Sequence, residues 1–177
     1  DIVPGVNGEH VYIAVFDGED RRRADKISLS DFSVVDSGLA ENTTRGSARG
    51  ASVAPDGESI YFAKGQQIYK YDFNGNEEWF YDLDTDPETV KADSDGSHVY
   101  VGASVGDLVK LNDSDGSVEW RKFIGDNVFF TSEGPEGNYV YAWVGDKINE
   151  LKKIDASDGS EIWAVNTQVD GVAGGPN

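Results

Sequence analysis

The sequence predicts an all-β protein built from four repeated units of about 40 residues each. Two motifs recur in phase: an acidic-or-Asn-Gly-x-x-Val/Ile-Tyr motif and a Lys-apolar-Asp/Asn-x-x-x-Gly-x-x-x-Trp motif. The tyrosines of the first motif lie 49, 39 and 41 residues apart, at Tyr12, Tyr61, Tyr100 and Tyr141. The motifs enclose short segments rich in Val, Ile, Tyr and Phe, and no window shows helical periodicity. One β-structured unit, repeated four times, accounts for both patterns.

The second motif marks the end of each unit. Its clear copies end at tryptophans that lie 41 and 43 residues apart: Trp79, Trp120 and Trp163. A weaker copy occupies 26–36, where Phe32 replaces the glycine and Asp36 replaces the tryptophan. Atypical terminal repeats are normal in repeat arrays, so 26–36 belongs to the first unit.

Each unit is predicted to contain four antiparallel strands. In the third unit the strands fall at 89–93, 99–103, 108–112 and 118–124, bounded by Asp-Gly and related turns. Four such strands repeated radially form the blades of a β-propeller.

The predicted blades divide a single region, 1–177, at regular intervals. They cover 1–48, 49–87, 88–126 and 127–167, and 168–177 begins a further blade or closes the ring. Both ends of the sequence resemble the entry to a blade, which favours a fragment or processed product. Such a fragment would be part of a larger ring of about seven or eight blades, and the alternatives are a closed four-bladed ring and two copies paired into one ring.

The Trp motif, following a Gly-x-Leu-x-Lys run such as 106–110, resembles the PQQ-like (pyrroloquinoline-quinone-type) propeller repeat. The resemblance covers most of 50–167 and implies that the three motif tryptophans, Trp79, Trp120 and Trp163, pack between neighbouring blades. It implies the fold and not the quinone. Quinoprotein dehydrogenases usually carry a vicinal disulfide on a much longer chain, whereas this sequence has no cysteine. We therefore expect no quinone cofactor.

The composition is strongly acidic. Asp and Glu total 33 against 15 Lys and Arg, which gives a net charge of −18. Such an excess repels itself in dilute salt and is screened at molar salt. This favours a salt-loving source, a haloarchaeal or halovirus-like member of the repeat family, over an acidic extracellular protein from an ordinary habitat. Nucleic-acid binding is disfavoured because phosphate contacts need basic clusters, and no apolar run long enough to insert into a membrane is present.

One acidic stretch has the spacing of a calcium loop. Asp82, Asp84 and Asp86 alternate, so their oxygens could surround a Ca²⁺ ion. Pro87 occupies the position where such a loop requires glycine, which favours a solvated loop between blades. The aspartates of the hairpin turns, including Asp113, are expected to accept local backbone hydrogen bonds.

Basic residues are concentrated near the first unit. Arg21, Arg22 and Arg23 form a cluster that Arg45 and Arg49 extend. The cluster is interpreted either as a docking point for an acidic subunit or anionic glycan or as local charge balance. Asn42 begins an Asn-Thr-Thr glycosylation pattern and is expected in an exposed loop.

The function predicted from these patterns is non-enzymatic binding or structure. No Ser-His-Asp arrangement, zinc-ligand spacing or phosphate loop is present, and His10 and His98 recur at one blade position. We expect a surface-exposed virion component (tail, spike or capsid-associated) or a cell-surface protein. It is expected to contact protein partners or surface glycans and to self-associate or join a larger assembly. The alternatives are a fragment of a quinone- or calcium-dependent enzyme and a scaffold for protein assembly in the cell envelope.

Overall fold

The computed structural model describes residues 2–4, 9–16, 22–42, 50–72, 74–134, 136–145 and 149–166. These residues form β-strands joined by turns and include no helix, so none is available to cross a membrane. The strands are β1 Ile2–Pro4, β2 His10–Phe16, β3 Arg22–Ser28, β4 Val34–Asn42, β5 Ala51–Val53, β6 Ser59–Lys64, β7 Gln67–Asp72, β8 Glu77–Asp82, β9 Pro87–Ala92, β10 His98–Ala103, β11 Asp107–Asn112, β12 Val118–Phe123, β13 Asn127–Glu133, β14 Tyr139–Gly145, β15 Glu150–Asp155 and β16 Glu161–Asn166.

Each successive group of four strands forms one antiparallel sheet, and the strands lie in that sheet in chain order. The sheets are β1–β4, β5–β8, β9–β12 and β13–β16, hereafter blades 1 to 4. Among the described connections, short turns such as 65–66 and 104–106 join strands that are neighbours in sequence, which is the simplest way to pair antiparallel strands. The prediction of an all-β fold made of four-stranded propeller-type blades is confirmed.

The hydrophobic core lies between blades, because alternate residues of each strand point to opposite faces of its sheet. One cluster joins blades 2 and 3, with Ile68 and Val99 fully buried in it. A second cluster joins blades 3 and 4 through Leu108 and Val140. The first strand of blade 3 contacts the first, second and third strands of blade 2, and the first strand of blade 4 makes the same contacts with blade 3.

The third and fourth strands of every blade share an irregularity at one position. The pairing shifts immediately after the motif lysine, at Lys26, Lys70, Lys110 and Lys153. Each shift leaves one extra residue on the fourth strand, as in a β-bulge. The extra residue is Val35 in blade 1, Glu78 in blade 2, Glu119 in blade 3 and Ile162 in blade 4. The bulge therefore carries a carboxylate only in the two central blades.

Candidate functional site

A Tyr-Lys-Trp triplet lies across the second, third and fourth strands of a blade. The lysine pairs with the tyrosine on one side and the tryptophan on the other, so the three side chains share one face of the sheet. The triplets are Tyr61-Lys70-Trp79, Tyr100-Lys110-Trp120 and Tyr141-Lys153-Trp163. Blade 1 has Tyr12-Lys26-Asp36 in the same register, as the weak sequence copy indicated.

The triplet of blade 2 is covered by the turn between the third and fourth strands of blade 3. The indole nitrogen of Trp79 donates a hydrogen bond to the carbonyl oxygen of Asp113 at 2.7 Å, and 8% of Trp79 is exposed. Lys70 Nζ lies 2.9 Å from Asp113 Oδ2, and the Tyr61 hydroxyl donates to Asp113 Oδ1. Burial, and then the hydrogen bond to Asp113, raise the pKa of the Tyr61 phenol far above its usual value. The turn of blade 3 thus supplies both a carbonyl and a carboxylate to blade 2.

Lys70 stands between two carboxylates. Its second partner is Glu78 at the bulge, at 3.1 Å. Burial alone lowers the pKa of Lys70, but the hydrogen bonds and charges of Asp113 and Glu78 outweigh it and raise the pKa overall. A mostly buried ammonium group is tolerated here because opposite charges surround it.

The triplet of blade 3 is covered in the same way by blade 4. The Trp120 indole donates to the carbonyl oxygen of Ala156 at 3.1 Å, and its exposure is again 8%. Lys110 pairs with Glu119 at the bulge, at 3.0 Å. Alanine replaces Asp113 at the equivalent turn position, so this lysine has its charge balanced from within its own blade.

The triplet of blade 4 has no such cover among the described residues. Trp163 is 37% exposed, and every residue of β16 is exposed. The structure shows no hydrogen bond from the Trp163 indole in the described ranges. Ile162 replaces the bulge glutamate, and Lys153 lies 3.5 Å from the ring centroid of Tyr139, with no described carboxylate paired to it. This is the surface that in blades 2 and 3 forms an interface.

Further aromatic side chains extend that surface along β14. Tyr139, Tyr141 and Trp143 alternate with fully buried residues and are partly exposed. Ring centroids lie 5.8 Å apart for Tyr139 and Tyr141, 6.1 Å for Tyr141 and Trp163, and 5.4 Å for Trp143 and Phe129. We define the blade-4 face as Phe129, Tyr139, Tyr141, Trp143, Lys153 and Trp163. Clustered aromatic side chains of this kind are typical of protein contact surfaces.

Blade 1 carries the counterpart of a turn that covers a triplet. The backbone N–H of Leu29 donates to the carbonyl oxygen of Glu9, as the N–H of Asp113 does to Ser97 in blade 3. The N–H of Ser28 donates to the carbonyl oxygen of Ser33, as that of Asn112 does to Ser117. Leu29 therefore corresponds to Asp113. A cleft of about 460 Å³ lies beside this turn, lined by Glu9, His10, Ser28, Leu29 and Ser30. We define these five residues as the blade-1 cleft.

Phe32 stands at the glycine position of the blade-1 turn. Its φ is +58°, in the left-handed region that Gly116 and Gly159 occupy in blades 3 and 4. Its side chain is 78% exposed. The turn keeps its backbone shape although a phenylalanine has replaced the residue best suited to it.

One group of side chains has the spacing of metal ligands. Ligand atoms of Asp93, Asp95 and His98 lie within 4.8 Å of one another. His98 Nδ1 lies 2.8 Å from Asp93 Oδ2, and His98 Nε2 lies 3.0 Å from Glu119 Oε1. Burial raises the pKa of Asp93, while hydrogen bonds from His98 oppose the shift. These contacts link the β9–β10 turn to the outer strand of the same blade, which is a structural role.

The proposed calcium loop lies on the surface between β8 and β9. Asp82, Asp84 and Asp86 are exposed, and the Asp84 N–H donates to Asp82 Oδ1 at 3.3 Å. Among the described residues these three do not form a group with converging ligand atoms.

Three of the remaining predicted residues lie in blade 1. Arg22 and Arg23 begin β3, and Asn42 ends β4 opposite Arg22, so Asn42 belongs to a strand. Arg21, Arg45 and Arg49 lie outside the described residues.

Sequence reasoning missed the role of Asp113. It was expected to accept local turn hydrogen bonds, but its carboxylate binds Tyr61 and Lys70 of the preceding blade. Asp115, Asp155 and Asp158 do accept bonds from serines two residues ahead. One sequence signal could have distinguished Asp113 from the other turn aspartates: the next repeat has Ala156 at the equivalent position, so the turn itself does not need an aspartate there.

Repeated four-stranded blades joined by Trp-to-turn contacts define a β-propeller of the PQQ-like class. A family model described as outer membrane protein assembly factor BamB matches residues 64–175, and the chain belongs to this family. No curated protein matches the sequence.

Solved structures share the fold at low sequence identity. Hydrazine synthase of Kuenenia stuttgartiensis matches with a TM-score of 0.73 and 16% identity over 92% of this chain and 47% of that one. A chain of a mitotic checkpoint complex matches with a TM-score of 0.76 and 12% identity over 94% of this chain and 50% of that one. This chain thus spans about half the length of the two chains that it matches.

Proposed function

We propose that this protein is a non-enzymatic binding and scaffold module whose blade-4 face contacts a protein partner. The observation that carries the proposal is the contrast among equivalent tryptophans. Trp79 and Trp120 are 8% exposed beneath a neighbouring turn, whereas Trp163 is 37% exposed. An exposed copy of a surface that is used twice as an interface is best explained as a third interface.

The composition of the blade-4 face supports this function. Its tyrosines and tryptophans bury a large apolar area at a small cost in side-chain entropy. Exposed apolar groups flank it at Ile162 and Val165. Contiguous exposed apolar surface of this kind marks interaction sites.

The family supports an assembly role for the contact. The matching model carries the name of an outer membrane protein assembly factor, which favours a scaffold that holds other proteins of an envelope. Under this proposal the module needs no catalytic group and no cofactor. The polar cluster around His98 holds a turn within blade 3.

The finer form of the proposal concerns location and solvent. The net charge of −18 supports a module that works in high salt at a virion or cell surface, in a haloarchaeal or viral setting. Its partners there would be proteins or surface glycans.

Site-specific cross-linking tests the proposal. A photo-cross-linking amino acid is placed at Val165, beside Trp163, and in a control at Val105, which has nearly the same exposure on blade 3. In source cells we expect Val165 to yield a discrete protein adduct that disappears with Trp163→Ala. Equal adducts at both positions, or an adduct that survives Trp163→Ala, would contradict the proposed contact. Reproducible turnover of a substrate by the purified chain would contradict the non-enzymatic function.

A further inference from the structure

We infer that the blade-4 face binds a hairpin turn that carries an aspartate and, three residues later, a left-handed glycine, and that this chain's own blade-1 turn is excluded as that partner. The inference rests on the proposed function and specifies the partner of the same face. The two covered faces in blades 2 and 3 show what such a surface accepts.

The glycine requirement comes from space and backbone conformation. A Cβ at Gly116 would lie 2.7 Å from Trp79 Cε3, and one at Gly159 would lie 2.8 Å from Trp120 Cε3. Both glycines have φ near +70°, at +71° and +73°. A turn that approaches Trp163 in the same way therefore needs glycine at this position.

The aspartate requirement comes from charge. Lys70 has two carboxylate partners, one from its own bulge and one from Asp113 of the next blade. Lys110 has its bulge glutamate, and the turn that covers it carries Ala156. Lys153 has Ile162 at its bulge and no described carboxylate, so the turn that covers blade 4 must bring the negative charge.

The blade-1 turn lacks both features. Phe32 occupies the glycine position, so its Cβ stands where the indole of an incoming tryptophan would lie. Leu29 occupies the position of Asp113 and brings no carboxylate to Lys153. The blade-1 cleft therefore does not accept the blade-4 face of this chain or of a second copy in the geometry that joins the other blades.

This mismatch leaves Trp163 without cover from the blade-1 turn. If blade 1 had a matching turn, copies would associate head to tail and hide Trp163. Phe32 and Leu29 prevent that contact, and the face remains open to a turn of a further blade of the same repeat type that has both required residues.

Rebuilding the blade-1 turn tests the inference. The substitutions Leu29→Asp and Phe32→Gly, both at exposed positions, give it the residues of the Asp113–Gly116 turn. We expect the double variant to self-associate in light scattering in about 3 M KCl, where charge repulsion is screened, and the unaltered chain to associate at least tenfold more weakly. Adding Trp163→Ala to the double variant should restore the mass of the unaltered chain.

A mixing experiment assigns the two surfaces. The triple variant Leu29→Asp, Phe32→Gly, Trp163→Ala offers only the rebuilt turn, and the unaltered chain offers only Trp163. When the two proteins are mixed, we expect them to form a complex. Replacing the unaltered chain by its Lys153→Met variant should weaken this complex about tenfold, which corresponds to the loss of one charge-assisted hydrogen bond.

Two outcomes would overturn the inference. One is Trp163-dependent self-association of the unaltered chain with the same strength as the double variant. The other is a rebuilt turn that folds, by circular dichroism, yet does not bind the unaltered chain. If the Val165 cross-link persists in that second case, the binding function stands and the partner is not a turn of this type.

Discussion

Trp79 of blade 2 lies so close to Gly116 of blade 3 that a Cβ on the glycine would stand 2.7 Å from the indole Cε3. The glycine also has φ +71°, a conformation that other residues adopt at a cost. One residue type thus meets two demands, the shape of a turn and the space for a tryptophan of the neighbouring blade. Trp120 and Gly159 repeat the relationship between blades 3 and 4.

Substitution of Gly116 by alanine should separate these two demands when it is compared with Gly65→Ala. Gly65 has φ +53° and no heavy atom within 4 Å of the place that a Cβ would occupy, so its substitution carries only the conformational cost, about 1–2 kcal/mol. Gly116→Ala adds overpacking against Trp79, a further cost of about 1–3 kcal/mol. Urea unfolding followed by tryptophan fluorescence measures both. Equal losses of stability would show that the blades move apart freely at this contact.

The tryptophans themselves should contribute unequally to stability. Trp79→Ala removes a buried ring and its hydrogen bond to Asp113, and we expect a loss of about 3–5 kcal/mol. Trp163→Ala removes a ring that is 37% exposed and has no covering turn among the described residues, so its loss should be less than half as large. The free energies of unfolding of the two variants, measured side by side, check this. A loss at Trp163 as large as that at Trp79 would mean that Trp163 is already packed in an interface.

Asp113 and Asp115 provide a matched pair in one turn. Asp113→Asn removes the negative charge that pairs with Lys70 and accepts the hydrogen bond of Tyr61 across the blade boundary. We expect the free energy of unfolding to fall by about 1.5–3 kcal/mol. Asp115 is exposed and accepts its hydrogen bond from Ser117 in the same turn, so Asp115→Asn should change stability little. Thermal unfolding of both variants at pH 7 distinguishes them. The proposed inter-blade role of Asp113 fails if the two variants melt together.

The sequence predicted the blade plan well because turn residues and repeats mark it locally. Predicted strand 89–93 is observed as Pro87–Ala92, and 99–103 is observed as His98–Ala103. The inter-blade partner of Asp113 could not be predicted, since it depends on how two sheets meet rather than on residues near it in sequence. The blade-4 face was likewise hidden, because Trp and Phe are common core residues and only the partial exposure of Trp143 and Phe129 on one sheet face distinguishes them.

Two aspartates should contribute to the pH dependence of stability in opposite directions, and substitution of each should reveal its contribution. Hydrogen bonds from Ser157 lower the pKa of Asp155, so the stability that it contributes is present above its ordinary pKa and is lost as pH falls through the folded value. Burial raises the pKa of Asp93, so ionisation of Asp93 opposes folding as pH rises through the folded value. Asp155→Asn should flatten the loss of stability below about pH 4, and Asp93→Asn should steepen it. Urea midpoints between pH 7 and pH 3 report both slopes, and slopes that change in the same direction would contradict the assignment.

Salt should stabilise the fold because the chain carries a net charge of −18 and its exposed carboxylates repel one another. The screening length falls from about 10 Å at 0.1 M salt to about 3 Å at 1 M, so repulsion among exposed carboxylates weakens steeply over this range. We expect the melting temperature to rise markedly between about 0.05 M and 3 M KCl. A variant with Glu58→Gln, Glu77→Gln and Glu136→Gln, all at exposed positions, controls for the general effect of salt on apolar groups. It should melt higher than the unaltered chain in dilute salt and gain less from KCl. If both proteins gain equally, charge repulsion does not set the salt dependence, and the acidic composition does not indicate a high-salt habitat.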